Sequence, residues 1–182
     1  MFTVLITGVS GSGKSAISRW LAERGREAVS LDGYEGLCMW VDRRGRPVQR
    51  PENPTVTWLS AHEWVWNADV LDRLITSASS RQVGVLWLAG NAGNVEQLHG
   101  RFDLRILLRI DAATMLARLD NASRGNDFGR IGESRVHLVE NFEDIQNHLR
   151  SFCDIEIDAA GDLDTVGHEL LTSSLSRGHD AS

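Results

Sequence analysis

Eight consecutive residues, Gly8-Val9-Ser10-Gly11-Ser12-Gly13-Lys14-Ser15, fill every fixed position of the phosphate-loop pattern G-x-x-x-x-G-K-S/T, known as Walker A. The glycines let the backbone curl so that successive N–H groups point inward at phosphate oxygens. A helix starting at the end of such a loop adds the positive end of its dipole. Lys14 is then placed to reach the β and γ phosphates of a nucleoside triphosphate, and the Ser15 hydroxyl to bind Mg²⁺. The nucleotide-binding residues expected on this ground are Gly8, Ser10, Gly11, Ser12, Gly13, Lys14, Ser15 and Ala16, with ATP and Mg²⁺ as the ligands.

Three further groups could do chemistry. Asp32 stands at the predicted C-terminal end of a second strand, and in open α/β sheets ligands bind beyond the carboxyl ends of the strands. The competing reading is that Asp32-Gly33 is only a turn pair. Arg43, Arg44, Arg46 and Arg50 form a dense basic cluster that could bind an anionic acceptor or lie solvated in a loop. Trp58, Trp64 and Trp66 lie near His62; they could stack on a planar acceptor, but aromatics at helical spacing more often belong to a core. The histidines show no metal-ligand spacing, and Cys38 and Cys153 form neither a C-x-x-C pair nor a disulfide framework, so both are expected to be ordinary reduced thiols.

Elements must hold these groups in place. Thr3 to Thr7 predicts a first strand running into the loop, and Lys14 to about Arg24 a helix with Ile17, Trp20 and Leu21 on one face and Gly25 at its stop. Ala28 to Leu31 reads as a second strand. Tyr34 to Thr57 has no clear period, holds every proline, and reads as an inserted loop region suited to acceptor specificity. Ser60-Ala61-His62-Glu63 fits a capping box, predicting helices from about Ser60 and from Asn67 to Ser77. Val83 to Ala89 and Leu104 to Ile110 are apolar runs that suit buried parallel strands, and Asp111 can cap the helix from Ala112 through Leu119. After a glycine-rich break from Gly125 to Gly132, the stripe Val136, Val139, Phe142, Ile145 and Leu149 predicts one long amphipathic helix. Ile155 to Ile157 makes a fifth strand and Leu163 to Leu175 a last helix. This alternation implies a parallel sheet in a three-layer α/β/α fold.

Composition bounds the function. A chain of 182 residues with 42% hydrophobic and 24% charged residues fits one globular domain, 1–182. A net charge of -6 argues against broad nucleic-acid or anionic-membrane surfaces, which recruit excess Lys and Arg. No basic leader pattern and no run of eighteen apolar residues is visible, so a cytoplasmic protein is expected, with oligomeric state left open.

Across nearly its whole length the sequence resembles the small P-loop kinases of the adenylate, shikimate and gluconate kinase type. The loop Gly8 to Ser15 is similar to that of gluconate kinases. Leu107 through Leu119, with Ala117-Arg118-Leu119 near its end, resembles the helix running into the adenylate-kinase lid, and Ile157-Asp158-Ala159 resembles the last strand and adenine-side loop. The resemblance implies an acceptor-binding insertion at 33–66, a lid at 118–135, and transfer of the ATP γ-phosphoryl group. It implies that Asp32 orients or deprotonates the acceptor hydroxyl, that Arg118 and Arg124 lie over base and phosphates, that Arg130 or Arg135 closes on the transferring group, and that Ala159 lies beside the nucleotide. Some features depart from the pattern. Val85 to Asn91 lacks the Asp that many P-loop proteins place at the end of this strand, Gly90 to Asn94 carries no acceptor-phosphate arginine, and the gluconate-kinase signature after Asp32-Gly33-Tyr34 is missing. The expectation is therefore a kinase acting on a nucleoside, a nucleotide or another small metabolite. The competing class is a nucleotide-binding regulatory module or slow ATPase, and a closed, acceptor-sized cleft beside Asp32 would separate the two.

Overall fold

A computed structural model describes residues 1–121, 128–130 and 132–179. Five strands form one parallel sheet: β1 (Phe2–Thr7), β2 (Glu27–Ser30), β6 (Val85–Ala89), β7 (Leu104–Arg109) and β8 (Ile155–Asp158), in the order β2-β6-β1-β7-β8. The apolar runs become central strands because both faces of each are covered. On β1, Val4 and Ile6 enter one core while Leu5, pointing the other way, enters the second. Ile17, Trp20 and Leu21 of α1 (Lys14–Glu23) and Leu170 of α7 (Leu163–His179) pack in the first core. Leu71 and Leu74 of α3 (Ala68–Ser80) pack in the second, which makes the three-layer arrangement. No helix among the described residues is long and apolar enough to cross a membrane.

Several local signals act as expected. Gly25 follows α1 with φ 71°, and Asp111 caps α4 (Ala112–Leu119) by accepting the Thr114 N–H at 2.6 Å. Asn67 caps α3 through the Asp69 and Val70 amides. The predicted long helix is two helices, α5 (Gly132–Glu140) and α6 (Phe142–Phe152), broken at Asn141, whose amide nitrogen donates to the His137 carbonyl at 2.8 Å.

The segment after β2 departs most from expectation. It is not irregular but carries an antiparallel sheet of β3 (Cys38–Asp42), β4 (Pro47–Val48) and β5 (His62–Trp66), with α2 (Val56–Ala61) between β4 and β5. The capping box at Ser60 does not form. Thr55 is the N-cap, accepting the Trp58 N–H at 3.1 Å, and the Ser60 hydroxyl donates back to the Val56 carbonyl. His62, Trp64 and Trp66 therefore recur with the period of a strand, with Glu63 and Val65 between them, and not with that of a helix.

Helices α1 and α7 lock at one close contact. The Trp20 indole N–H donates to Asp164 at 2.6 Å, the Arg24 guanidinium lies 3.8 Å over the Trp20 ring, and a Cβ at Gly167 would stand 2.7 Å from that ring. The ring is held on both sides, so Gly167→Ala is expected to destabilise the fold by about 1–3 kcal/mol through overpacking. Urea unfolding checks this; an unchanged midpoint would mean that the helices separate freely.

Candidate active site

The loop from Gly8 to Gly13 joins β1 to α1 and has the geometry of an anion cradle. Gly8 packs so closely that a Cβ would meet the Leu108 carbonyl at 2.7 Å, and Gly13, just before the helix, has φ 101°, a left-handed conformation that costs glycine little. The Ser12 N–H donates to the Val9 carbonyl at 3.1 Å, closing the curl. Lys14 is only 8% exposed, and its ammonium donates to the Gly8 and Val9 carbonyls at 2.9 and 3.0 Å. A buried ammonium needs such acceptors, and a phosphate offers stronger, charged ones in the same place. The Ser12 hydroxyl is buried without a hydrogen-bond partner, while Ser15 and Ala16 are exposed on the first turn of α1. These residues fit a triphosphate, and the exposed Ser15 hydroxyl fits one position of a Mg²⁺ shell. No group of three or more His, Cys, Asp or Glu that could hold a metal occurs among the described residues, so the phosphates and water would supply most of that shell.

Arg118 joins the parts predicted to hold the nucleotide. From α4 it donates to the Gly11 and Ser12 carbonyls, both at 3.3 Å, and to the Ala159 carbonyl at 2.7 Å. The phosphate loop, α4 and the turn after β8 are thereby tied through one guanidinium. Arg135 pairs with the exposed Asp120 carboxylate at 2.7 Å. Arg124 and Gly125 lie outside the described residues.

A cleft of about 920 Å³ begins at Ser10 and Lys14 and runs over the C-terminal ends of β2 and β6. Asp32 opens onto it from a short 3₁₀ turn, Leu31–Gly33. The Asn91 N–H donates to Asp32 Oδ1 at 3.4 Å, and the Thr7 hydroxyl to Asn91 Oδ1 at 3.5 Å, so the ends of β1, β2 and β6 meet around this carboxylate. Gly90 leaves no room for a side chain, since a Cβ would lie 2.8 Å from both Leu31 and Trp66.

The arginine cluster divides. β3 and β4 form a hairpin whose turn is held by Asp42. Its carboxylate accepts the Arg44 and Arg46 amides and the Arg46 Nε, and the last contact leads in holding the Asp42 carboxyl down at about 2. Arg43, Arg44 and Arg46 are exposed on this turn and do not line the cleft, whereas Arg50 does. Of the four, only Arg50 among the described lining residues stands where an anionic acceptor in this cleft would meet it, and the other three take the solvated-turn position that the sequence also allowed. The tryptophans divide as well. Trp66 is buried in the core, Trp58 stacks on His62 at 4.1 Å, and Trp64 lines the cleft together with Trp40. Cys38 and Cys153 are free thiols whose pKa is pushed up to about 12, first by burial and then by neighbouring carboxylates, so both are poor nucleophiles.

Sequence reading missed Trp40, Glu63, Asn91, His137, Asp144 and His148 on the lining. Asn91 carried a signal, two residues beyond a central strand; the rest arrive from α6, the end of α5 and the unexpected sheet. That sheet is docked on the core by the loop after β6. Asn94 accepts the Trp66 N–H and donates to the Trp66 carbonyl, each at 2.9 Å, and the Gly93 N–H donates to the Trp64 carbonyl at 2.7 Å. Asn94→Ala removes both side-chain bonds and is expected to cost about 1–3 kcal/mol. Thermal melting would show the loss, and an unshifted Tm would mean that water replaces Asn94 without penalty.

Comparison with known proteins places this geometry. The sequence profile of the AAA domain family matches residues 4–144. No curated protein matches the chain in sequence. Among solved structures, a shikimate kinase from Acinetobacter baumannii in complex with shikimate is similar with a TM-score of 0.58 at 19% identity, covering 97% of this chain and 94% of that one. A deoxyadenosine kinase from M. mycoides with bound dATP is similar with a TM-score of 0.51 at 16% identity, covering 96% and 100%. A shikimate kinase from Aquifex aeolicus gives 0.53 at 13% identity, covering 96% and 97%. At these identities the likeness is one of fold, that of the small P-loop kinases.

Proposed function

The chain belongs to the AAA domain family, and on that premise we propose that it is an ATP- and Mg²⁺-dependent phosphotransferase acting on a hydroxyl of a small-molecule acceptor. The observation that carries the reading is that one cleft of about 920 Å³ is lined by both Lys14 and Asp32, with room left for an acceptor. A regulatory nucleotide module has no need of such a space. We read the chain as one domain in which 33–66 forms the acceptor wall and 118–135 the lid.

In the proposed reaction the loop amides and Lys14 bind the β and γ phosphates, with Ser15 as a ligand of Mg²⁺, which when bound neutralises phosphate charge. Lys14 exchanges its two carbonyl acceptors for phosphate oxygens and so places a buried positive charge where negative charge shifts during transfer. Asp32 holds the acceptor hydroxyl and takes its proton as the oxygen bonds to the γ phosphorus. The bond from that phosphorus to the bridging oxygen breaks, and ADP leaves. Arg118 keeps the loop and the Ala159 turn in register, so its part is positioning. Catalysis of this kind comes mostly from orientation and fixed charge.

The test is transfer of labelled γ-phosphate from ATP to a panel of hydroxyl metabolites, with ATP binding measured separately by calorimetry. Transfer that depends on Lys14 and Asp32 supports the reading. Tight ATP binding with no labelled product from any acceptor would return the chain to the regulatory class.

A further inference from the structure

Resting on the phosphotransferase reading, the lining of the cleft constrains the charge of the acceptor. Three carboxylates, Asp32, Glu63 and Asp144, open onto it, and none is in an ion pair among the described residues. Elsewhere the fold's carboxylates meet arginines, as Asp42, Asp72, Asp120 and Asp154 do. Of the permanently cationic side chains on the same lining among the described residues, Lys14 is committed to the donor phosphates in the proposed reaction, which leaves Arg50. With Arg43, Arg44 and Arg46 exposed on the hairpin turn, an anionic acceptor would meet, among the described residues of the lining, two carboxylates besides Asp32 for one arginine. Charge of that balance attracts cations and repels anions.

The aromatic wall points the same way. Trp64 and Phe128 both flank Trp40, with ring centroids 5.5 and 6.3 Å away and ring planes inclined by 54° and 49°. Trp58 also meets Trp40, edge-on at 5.0 Å, but does not line the cleft, and neither lining ring lies parallel to Trp40 so as to hold a flat base between two faces. A compact cation needs no parallel pair and is attracted to an aromatic face at about 6 Å or less.

We infer that the acceptor is a cationic hydroxyl compound, an amino alcohol or amino sugar. Its ammonium lies beside Trp40, Trp64 and Phe128, within the field of Glu63 and Asp144, while its hydroxyl reaches Asp32. The phosphate group and the ammonium group are thus recognised at opposite ends of one cleft.

The test uses the full chain with ATP and Mg²⁺ and compares three acceptor classes: choline, ethanolamine and glucosamine as cations; the tert-butyl isostere of choline and adenosine as neutral compounds; gluconate and AMP as anions. The best cation is expected to exceed neutral and anionic acceptors by at least about tenfold in kcat/KM, and choline, if it is a substrate, its own isostere by the same factor. Trp64→Leu should abolish the preference while Trp64→Phe, which keeps a ring, retains most of it, and Glu63→Gln should raise KM for the cation without weakening ATP binding. Equal or better transfer to a neutral or anionic acceptor would overturn the inference and leave the kinase reading standing. ATP binding without transfer to any class would overturn both.

Discussion

Lys14→Met should lower phosphoryl transfer by about 10²–10³-fold, the usual cost of removing one preorganised charge from a transferring group. Methionine keeps the unbranched apolar stem, so packing around the start of α1 is preserved while the ammonium is lost. The Gly8 and Val9 carbonyls then lose their donor, at 2.9 and 3.0 Å in the present arrangement, which costs some stability of the loop itself. The two effects separate by experiment. Loss of the ammonium as a phosphate ligand weakens ATP binding and cuts kcat together, whereas simple loosening of the loop would be partly reversed by saturating ATP. A variant whose kcat at saturating ATP equals that of the wild type would remove Lys14 from the chemistry.

The parts of this site differ in how far the sequence alone reveals them, and the reasons are physical. The phosphate loop is local: eight adjacent residues specify its curl, its dipole and its lysine, so Gly8 to Ser15 can be read without any tertiary knowledge. The sheet is nearly as legible, because strands buried on both faces are mostly apolar runs, as in β1, β6 and the Ile106-Leu107-Leu108 stretch of β7. The acceptor side is not local. β3, β4 and β5 are short, and β3 and β5 pair across a long intervening stretch, with Asp42 opposite His62 and Trp40 opposite Trp64, 24 positions further along the chain. A helical signal at Ser60 competed with the strand period of His62, Trp64 and Trp66, and tertiary pairing with β3 and Asn94 decided for the strand. The basic cluster was misleading for a similar reason. Adjacent arginines look like one site, but a hairpin turn at Asp42 uses Arg46 locally, and its exposed neighbours Arg43 and Arg44 are not on the cleft lining that Arg50 reaches. Asp144 and His148 could not be assigned at all, since only the break at Asn141 and the angle of α6 bring them to the lining.

Asp32→Asn carries the second large expected effect, a fall in kcat of about 10²–10⁴-fold with little change in ATP affinity. Asparagine has the size of aspartate and still offers an oxygen to the Asn91 N–H, so the junction of β1, β2 and β6 keeps its hydrogen bonds. What disappears is the negative charge and the capacity to take a proton from the acceptor hydroxyl. This makes the substitution a cleaner probe than Asp32→Ala, which also leaves the Asn91 amide without its partner. If Asp32 were only a turn residue before Gly33, asparagine would serve there as well as aspartate and both kcat and Tm would stay near wild type. If it acts on the acceptor, Tm holds while kcat collapses, and the loss is the same at saturating acceptor. In the proposed reaction Lys14 and Asp32 act at opposite sides of the transferring group, so each contribution would exist only while the other holds its partner in line, and the double variant should lose far less than the product of the two single losses.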